Sequence, residues 1–373
     1  MFKRILVLLM LLVVVNGFAE VKLDSLIWLD SEAYVDTNQT FFVDKGGAFY
    51  IGRAYVNLRG DIGKDWFGNK ITGRLTVDFT KPSTPIKYAY FDWKFADFLV
   101  LSGGLMKSEF GYLTYWEYPL PVKALGEVDK KLKPTASADF GMGISGKLLP
   151  IEGLTKNLIY YNIQILNGEG YEKLYKGDTT PPNDTFASHY TLVLLPIDGV
   201  KVGGTYRLNP RDYEQSRDSR AGLPLNVSQN AYAIYASANK IAISEDFKIP
   251  VDFLVEYIAM DTKFDGYKNT NSTSTTNYTV SGYAYSIMLG YTIFDAVTPY
   301  VRYDMVDPDT SESATNDMQQ ILYIGANVKA DPKGNLVFKP LYQYYLMKDN
   351  KSDKNDWIIK LEVEYKLGFS IWQ

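Results

Sequence analysis

Three arginines, Arg53, Arg59 and Arg74, and a set of lysines, Lys107, Lys123, Lys130, Lys131 and Lys133, carry the most evident chemistry in this chain. Guanidinium and ammonium groups stay charged at neutral pH and bind oxyanions, so rings of them suit the wall of an anion-conducting pore. Further bases at Lys201, Arg207, Arg302, Lys339, Lys360 and Lys366 fall at the same parity within alternating stretches. Acids share that parity, among them Asp78, Asp252, Glu256, Asp304, Glu362 and Glu364. Each base therefore has two readings, pairing with an acid on a neighbouring strand or guidance of ions. Catalysis finds little to work with. The chain has one histidine, His189, and the adjacent Ser188 faces the opposite way if the stretch is extended. With 0 Cys there is no thiolate, no disulfide and no cysteine metal cluster. Asp307, Asp309 and Glu312 sit in a polar loop where acids ordinarily serve solubility. The reading is a non-enzyme with no cofactor and no metal.

The lysines concentrate in LSGGLMKSEFGYLTYWEYPLPVKALGEVDKKLKPTASADFGMGISG, from Leu101 to Gly146, where strand-like pieces flank a long basic and aromatic segment without helical periodicity. Lys130, Lys131 and Lys133 lie beside a single acid, Asp129. Tyr112, Tyr115 and Trp116 either line a solute path or pin the segment against a wall. Pro119 and Pro121 stiffen it. A fixed constriction is expected over residues 107–135, with an outward arch over the mouth as the other geometry such a length allows.

The elements that would hold these groups are strands. In ITGRLTVDFT, Ile71, Leu75, Val77 and Phe79 alternate with Thr72, Arg74, Thr76 and Asp78. The last segment sets Trp357, Ile359, Leu361, Val363, Tyr365, Leu367, Phe369 and Ile371 against Lys360, Glu362, Glu364 and Lys366. Connection lengths sort into two classes. The terse ones are GDIGKDWFGN, FAD, PIEGLTK, PIDG, SEDFK, FDAV and DPKG. Alternating with them come long polar ones such as NGEGYEKLYKGDTTPPND, NPRDYEQSRDSRAGLPLN and DTKFDGYKNTNSTSTTN, with KPSTP as a short exception. Outer-membrane barrels alternate short periplasmic turns with long outer loops, and a sandwich has no reason to do so. The pattern predicts an all-β transmembrane antiparallel barrel of about sixteen strands, both termini at one end and no sheet edge left open.

Composition agrees. Lys3 and Arg4 precede the apolar run ILVLLMLLVVV and the small residues of Gly17-Phe18-Ala19, which read as a signal peptide over residues 1–19, leaving a barrel over 20–373. Removing Lys3 and Arg4 takes the formal charge from −4 to −6, which gives no pull toward nucleic acid. Aromatics make up 15% of the chain, with Tyr 30 and Phe 19, the kind of side chain that collects where one end of a ring is dry and the other wet.

Four stretches in order, GRAYVNLRGDIGKDW (Gly52 to Trp66), AYFDWKF (Ala89 to Phe95), GGLMKSEFG (Gly103 to Gly111) and IQILNG (Ile163 to Gly168), resemble the outer-membrane porins related to the phosphate-selective porins O and P. The resemblance spans residues 48–168 and departs where Glu109 replaces a common proline and where Trp372-Gln373 ends the chain. It implies a sixteen-stranded barrel, trimeric as a rule, with its third outer loop folded inward. The expectation is a porin of the bacterial outer membrane, a homotrimer in contact with outer-membrane lipid. It would pass small hydrophilic solutes by diffusion and lean toward phosphate-like anions. The competing reading is an occluded structural or adhesive barrel.

Overall fold

A strand with one apolar and one polar face must pair along both edges to satisfy its backbone groups. In the computed structural model sixteen antiparallel strands meet that demand by closing into one barrel. The structure describes residues 20–35, 48–80, 86–112, 132, 134–151, 155, 157–168, 170–171, 185–213, 225–242, 247–268, 275–310, 318–347 and 357–370. In chain order the strands are β1 (Glu20–Val35), β2 (Ala48–Lys64), β3 (Lys70–Asp78), β4 (Ile86–Ala96), β5 (Leu99–Lys107), β6 (Ala138–Leu148), β7 (Ile159–Leu166) and β8 (Ala187–Leu194). They continue with β9 (Val200–Tyr213), β10 (Leu225–Ala242), β11 (Lys248–Lys268), β12 (Thr275–Tyr291), β13 (Val297–Asp307), β14 (Gln319–Lys329), β15 (Leu336–Met347) and β16 (Trp357–Ser370). Each pairs with its neighbours in sequence, and β1 closes on β16 in a register from Lys22 opposite Ser370 to Val35 opposite Trp357. Closure removes the edges on which an open sheet would aggregate. The expected signal segment, 1–19, lies outside the described residues.

The apolar rows face out. On β16, Ile359, Leu361 and Tyr365 are exposed while Lys360, Glu362 and Glu364 between them are buried. On β8, Tyr190, Leu192 and Leu194 are exposed while His189, Thr191 and Val193 are buried. A water-soluble protein does the reverse. Hydrocarbon outside and polar groups inside account for it. The inner face is nevertheless less polar than the charge parity alone predicts. Leu254, Met288, Tyr300, Ile321, Tyr323, Leu341, Tyr345 and Ile358 form a buried cluster on β11–β16. These side chains share the inner face with the charges and fill the space between them.

The two classes of connection hold. Intervals 65–69, 97–98, 149–158, 195–199, 243–247, 292–296 and 330–335 separate strands at one end, and at the other 36–47, 108–137, 167–186, 214–224 and 308–318 are longer than any of these, with 79–85, 269–274 and 348–356 as shorter members. Aspartates tie the short turns. Asp65 Oδ1 accepts from the amides of Phe67 and Asn69, both at 2.8 Å, and its Oδ2 accepts from Trp93 Nε1 at 2.9 Å. Two expected loops are shorter than their polar composition suggested. β11 and β12 continue to Lys268 and from Thr275, and β9 and β10 run to Tyr213 and from Leu225. Thr, Ser, Asn and Tyr serve a strand as readily as a loop when a neighbouring backbone continues the ladder, as Asn226 opposite Asp265 shows.

One irregularity moves a charge. The β3–β4 register slips between Thr76 and Val77, pairing Thr76 with Tyr88 and Val77 with Ile86 and leaving Lys87 unopposed. Lys87 is buried, its Nζ donating to Tyr55 Oη at 3.0 Å and lying over the rings of Tyr55, Tyr88 and Tyr171 at 5.2, 5.7 and 5.9 Å.

Candidate pore constriction

After Lys107 the chain leaves β5, and the amides of Glu109, Gly111 and Tyr112 bond to the inner wall. Glu109 N–H donates to Gln164 Oε1 on β7 at 3.0 Å, while Gln164 Nε2 donates to the Lys107 carbonyl at 2.9 Å. The Glu109 carboxylate accepts from Tyr160 Oη at 2.9 and 3.1 Å. Burial pushes that carboxyl above its ordinary range, opposed by the charge of Lys107 and the Tyr160 hydroxyl. Gly111 N–H donates to Thr205 Oγ1 on β9 at 3.0 Å, and Tyr112 N–H donates to Glu256 on β11. Gly111 takes φ 63, a conformation that costs a residue with a Cβ but not glycine.

Phe110 is fully buried and packs with Leu132 against Ala231 and Ala233 on β10, Ile258 on β11, Ala284 on β12 and Val306 on β13. Three alanines in the facing wall leave room for the ring. A Cβ on Gly282 would stand 2.5 Å from the Pro308 carbonyl oxygen and 2.7 Å from Leu132 Cδ1, so glycine admits both the neighbouring backbone and the leucine. The Tyr112 ring lies 5.2 Å from that of Tyr235.

One buried pair touches both ends of the segment. Arg207 Nε donates to His189 Nε2 at 3.1 Å, which leaves the ring proton on Nδ1, 3.4 Å from the Glu109 carbonyl. Arg207 Nη1 donates to the Pro134 carbonyl and to Gln229 Oε1, both at 2.5 Å. The single histidine is thus a wall residue that helps hold the chain where it enters and returns.

The structure places the sequence-predicted residues unequally. Arg59 and Arg74 stand directly opposite each other on β2 and β3, and Lys22 on β1 opposes Arg59 from the other side. Together with Lys70 these bases face a cavity of about 250 Å³, where the acids are Asp61 and Asp92. Arg59 Nε lies 3.5 Å from Asp24, Arg74 Nη2 donates to Asn57 Oδ1 at 3.2 Å, and the Arg74 guanidinium lies 4.5 Å over Tyr88. The backbone of Arg53 pairs with Trp28; its side chain lies outside the described residues. Lys107 and Tyr112 line a different cavity. Tyr115, Trp116, Lys123, Lys130, Lys131 and Lys133 lie outside the described residues.

Other bases of the same parity pair with acids. Arg302 makes a two-pronged bond to Asp304, its Nε at 2.7 Å, and Lys339 Nζ reaches Glu362 at 2.8 Å and Glu364 at 2.6 Å, all buried. Sequence reasoning put these groups on the inner wall and left pairing open. It missed Glu109, Gln164, Thr205 and Glu256 as anchors, because partners so far apart in the chain leave no local signal.

No protein-family model matches the chain, and no curated protein matches it. Solved structures do. OmpF of Salmonella typhi, in complex with daunomycin, superimposes with a TM-score of 0.63 at 12% identity over 94% of this chain and 98% of that one. An anion-selective porin from Comamonas acidovorans gives 0.58 at 8% over 94% and 99%. The trimer form of OmpT, an outer membrane protein of Vibrio cholerae, gives 0.58 at 9% over 93% and 99%. At such identities the likeness establishes the fold alone, that of porin barrels generally, and does not single out the phosphate-selective porins.

Proposed function

We propose that the chain is a porin of the bacterial outer membrane, a water-filled channel through which small hydrophilic solutes diffuse passively, with a preference for anions. The observation that carries this reading is the row Lys22, Arg59 and Arg74, set in register on three adjacent strands and facing an open cavity inside a barrel with an apolar exterior. Like charges directly opposite each other destabilise a sheet, and an anion resting on them relieves the repulsion. Residues 107–135 form the constriction in this reading. The bonds from 108–112 to β7, β9 and β11, and from Arg207 to Pro134, support it. Residues 1–19 direct export and 20–373 form the barrel. A homotrimer is the proposed assembly, in keeping with the trimer form recorded for OmpT. No observation favours an occluded or adhesive barrel, or a catalytic role.

The test is the reversal potential of purified protein in a planar bilayer under a KCl gradient, repeated with Arg59→Glu/Arg74→Glu. Stepwise conductance with an anion-favouring reversal, shifted toward cations in the variant, is expected. Cation preference in the unaltered protein would overturn the anion preference and leave the channel, whereas absence of conductance would overturn the channel itself.

A further inference from the structure

A second cavity, of about 440 Å³, lies where Lys107 and Tyr112 meet the wall, and it is built differently from the basic row. Lys107, Lys147 and Lys201 reach it from β5, β6 and β9. Lys107 lies near enough to Glu109 for its charge to act on that carboxyl. Lys147 and Lys201 are exposed, and among the described residues their ammonium groups make no hydrogen bond or ion pair. The acid in the cavity, Glu109, is already bonded through both oxygens to Tyr160. Apart from Gly111 and the Thr191 hydroxyl, the rest of the lining is ring and alkyl surface. Tyr112 and Tyr235 meet at 49° with centroids 5.2 Å apart, and Val193 and Leu195 lie beside them.

Two exposed ammonium groups without a hydrogen-bonded or ion-paired acid, Lys147 feeling only the more distant charge of Asp97, stand beside a tyrosine wedge and suit a solute with two faces. A bare inorganic anion would use the lysines and leave the rings wet, and a neutral sugar would leave the lysines without a counter-charge. A planar ring carrying a carboxylate satisfies both, through charge-assisted hydrogen bonds at one end and ring contact at the other. The volume falls within the ordinary range for small-molecule sites, roughly 300–1,000 Å³. We propose that this cavity is a binding site for aromatic carboxylates, with Lys147 and Lys201 holding the carboxylate and Tyr112 and Tyr235 the ring. The inference rests on the porin reading only for access through a water-filled lumen.

Benzoate is the probe, and saturation-transfer NMR on the detergent-solubilised protein is the readout, since it needs no conduction. Transfer to the benzoate ring protons is expected, and Lys147→Gln/Lys201→Gln should weaken binding by at least about tenfold, the scale of lost charge-assisted bonds. Tyr235→Leu should weaken benzoate while leaving acetate unchanged. Heat-dependent gel mobility verifies that each variant retains the barrel. Equal transfer in the lysine double variant would overturn the proposal, as would inorganic phosphate displacing benzoate at equal concentration. Bilayer conductance of the same preparation separates the two readings. A silent bilayer counts against the porin, while benzoate binding still decides the site.

Discussion

On the β1–β4 side of the barrel Arg59 stands opposite Arg74 with its side chain 48% exposed, whereas on the β13–β16 side Arg302 and Lys339 are buried against Asp304, Glu362 and Glu364. Both sets of bases occupy inward positions on alternating strands. Their surroundings differ in packing: Arg59 and Arg74 face a cavity beside Lys22 and Lys70, whereas Arg302 lies against the ring of Tyr323 among Tyr300, Tyr345 and apolar residues, and Lys339, at the rim of another cavity of about 410 Å³, is enclosed by Glu362 and Glu364. Taking a charge out of water is tolerated when an opposite charge or hydrogen bonds replace the water, and Arg302 and Lys339 meet that demand with acids. On the β1–β4 side Arg59 keeps Asp24 at 3.5 Å yet stays half exposed at the cavity, within reach of a passing ion. Inward parity alone therefore does not make a residue part of the conduction path.

The contrast is broken most directly by deleting one base from each side. Arg302→Ala leaves Asp304 buried without its two-pronged partner and is expected to lose about 3–5 kcal/mol, while Arg59→Ala should stay within about 1 kcal/mol. Denaturant unfolding in lipid vesicles measures both, and equal losses would erase the distinction. Next in size is Phe110→Ala, which empties a fully buried site on the β10–β13 wall. It should weaken the hold on the segment by about 3 kcal/mol. The measurement is the rate of protease cleavage within 113–131, expected to rise while the basic row keeps its ion preference.

The smallest effect belongs to a turn outside both walls. Asp331 accepts from the amides of Leu336 at 2.7 Å and Lys333 at 2.9 Å, and these backbone bonds hold its carboxyl below the usual 3.8. With the folded value depressed, the turn's contribution is complete above about pH 4 and is lost as pH falls through the lower folded value. A carboxyl NMR titration of Asp331 should give a midpoint under 3.8. A midpoint at or above that value would show the turn bonds to be absent in solution.

Much of the architecture was legible beforehand because a strand's pattern is local. The alternation of Ile359, Leu361 and Tyr365 with Lys360, Glu362 and Glu364 is written in consecutive residues, and the outward and inward faces follow it. The terse and long connections likewise announced the hairpin order. Less was legible where composition was ambiguous, as in the polar ends of β11 and β12. For the candidate site, Arg59, Arg74, Lys107 and Tyr112 were named from sequence, but Lys147 was not, and nothing near Lys107 indicated that Lys201 would share its cavity.

The sequence by itself determined the period, the strand order and, Lys87 apart, the side on which the strand charges named here lie, since these depend only on neighbours along the chain. The tertiary structure decided that Arg59 faces Arg74, that Arg302 is buried with Asp304, and that Arg207 reaches both His189 and Pro134. Those outcomes depend on cross-strand register, on the slip that turns Lys87 inward and on what fills the lumen. Each is set by contacts between residues far apart in the chain, whose energies appear only when the barrel closes.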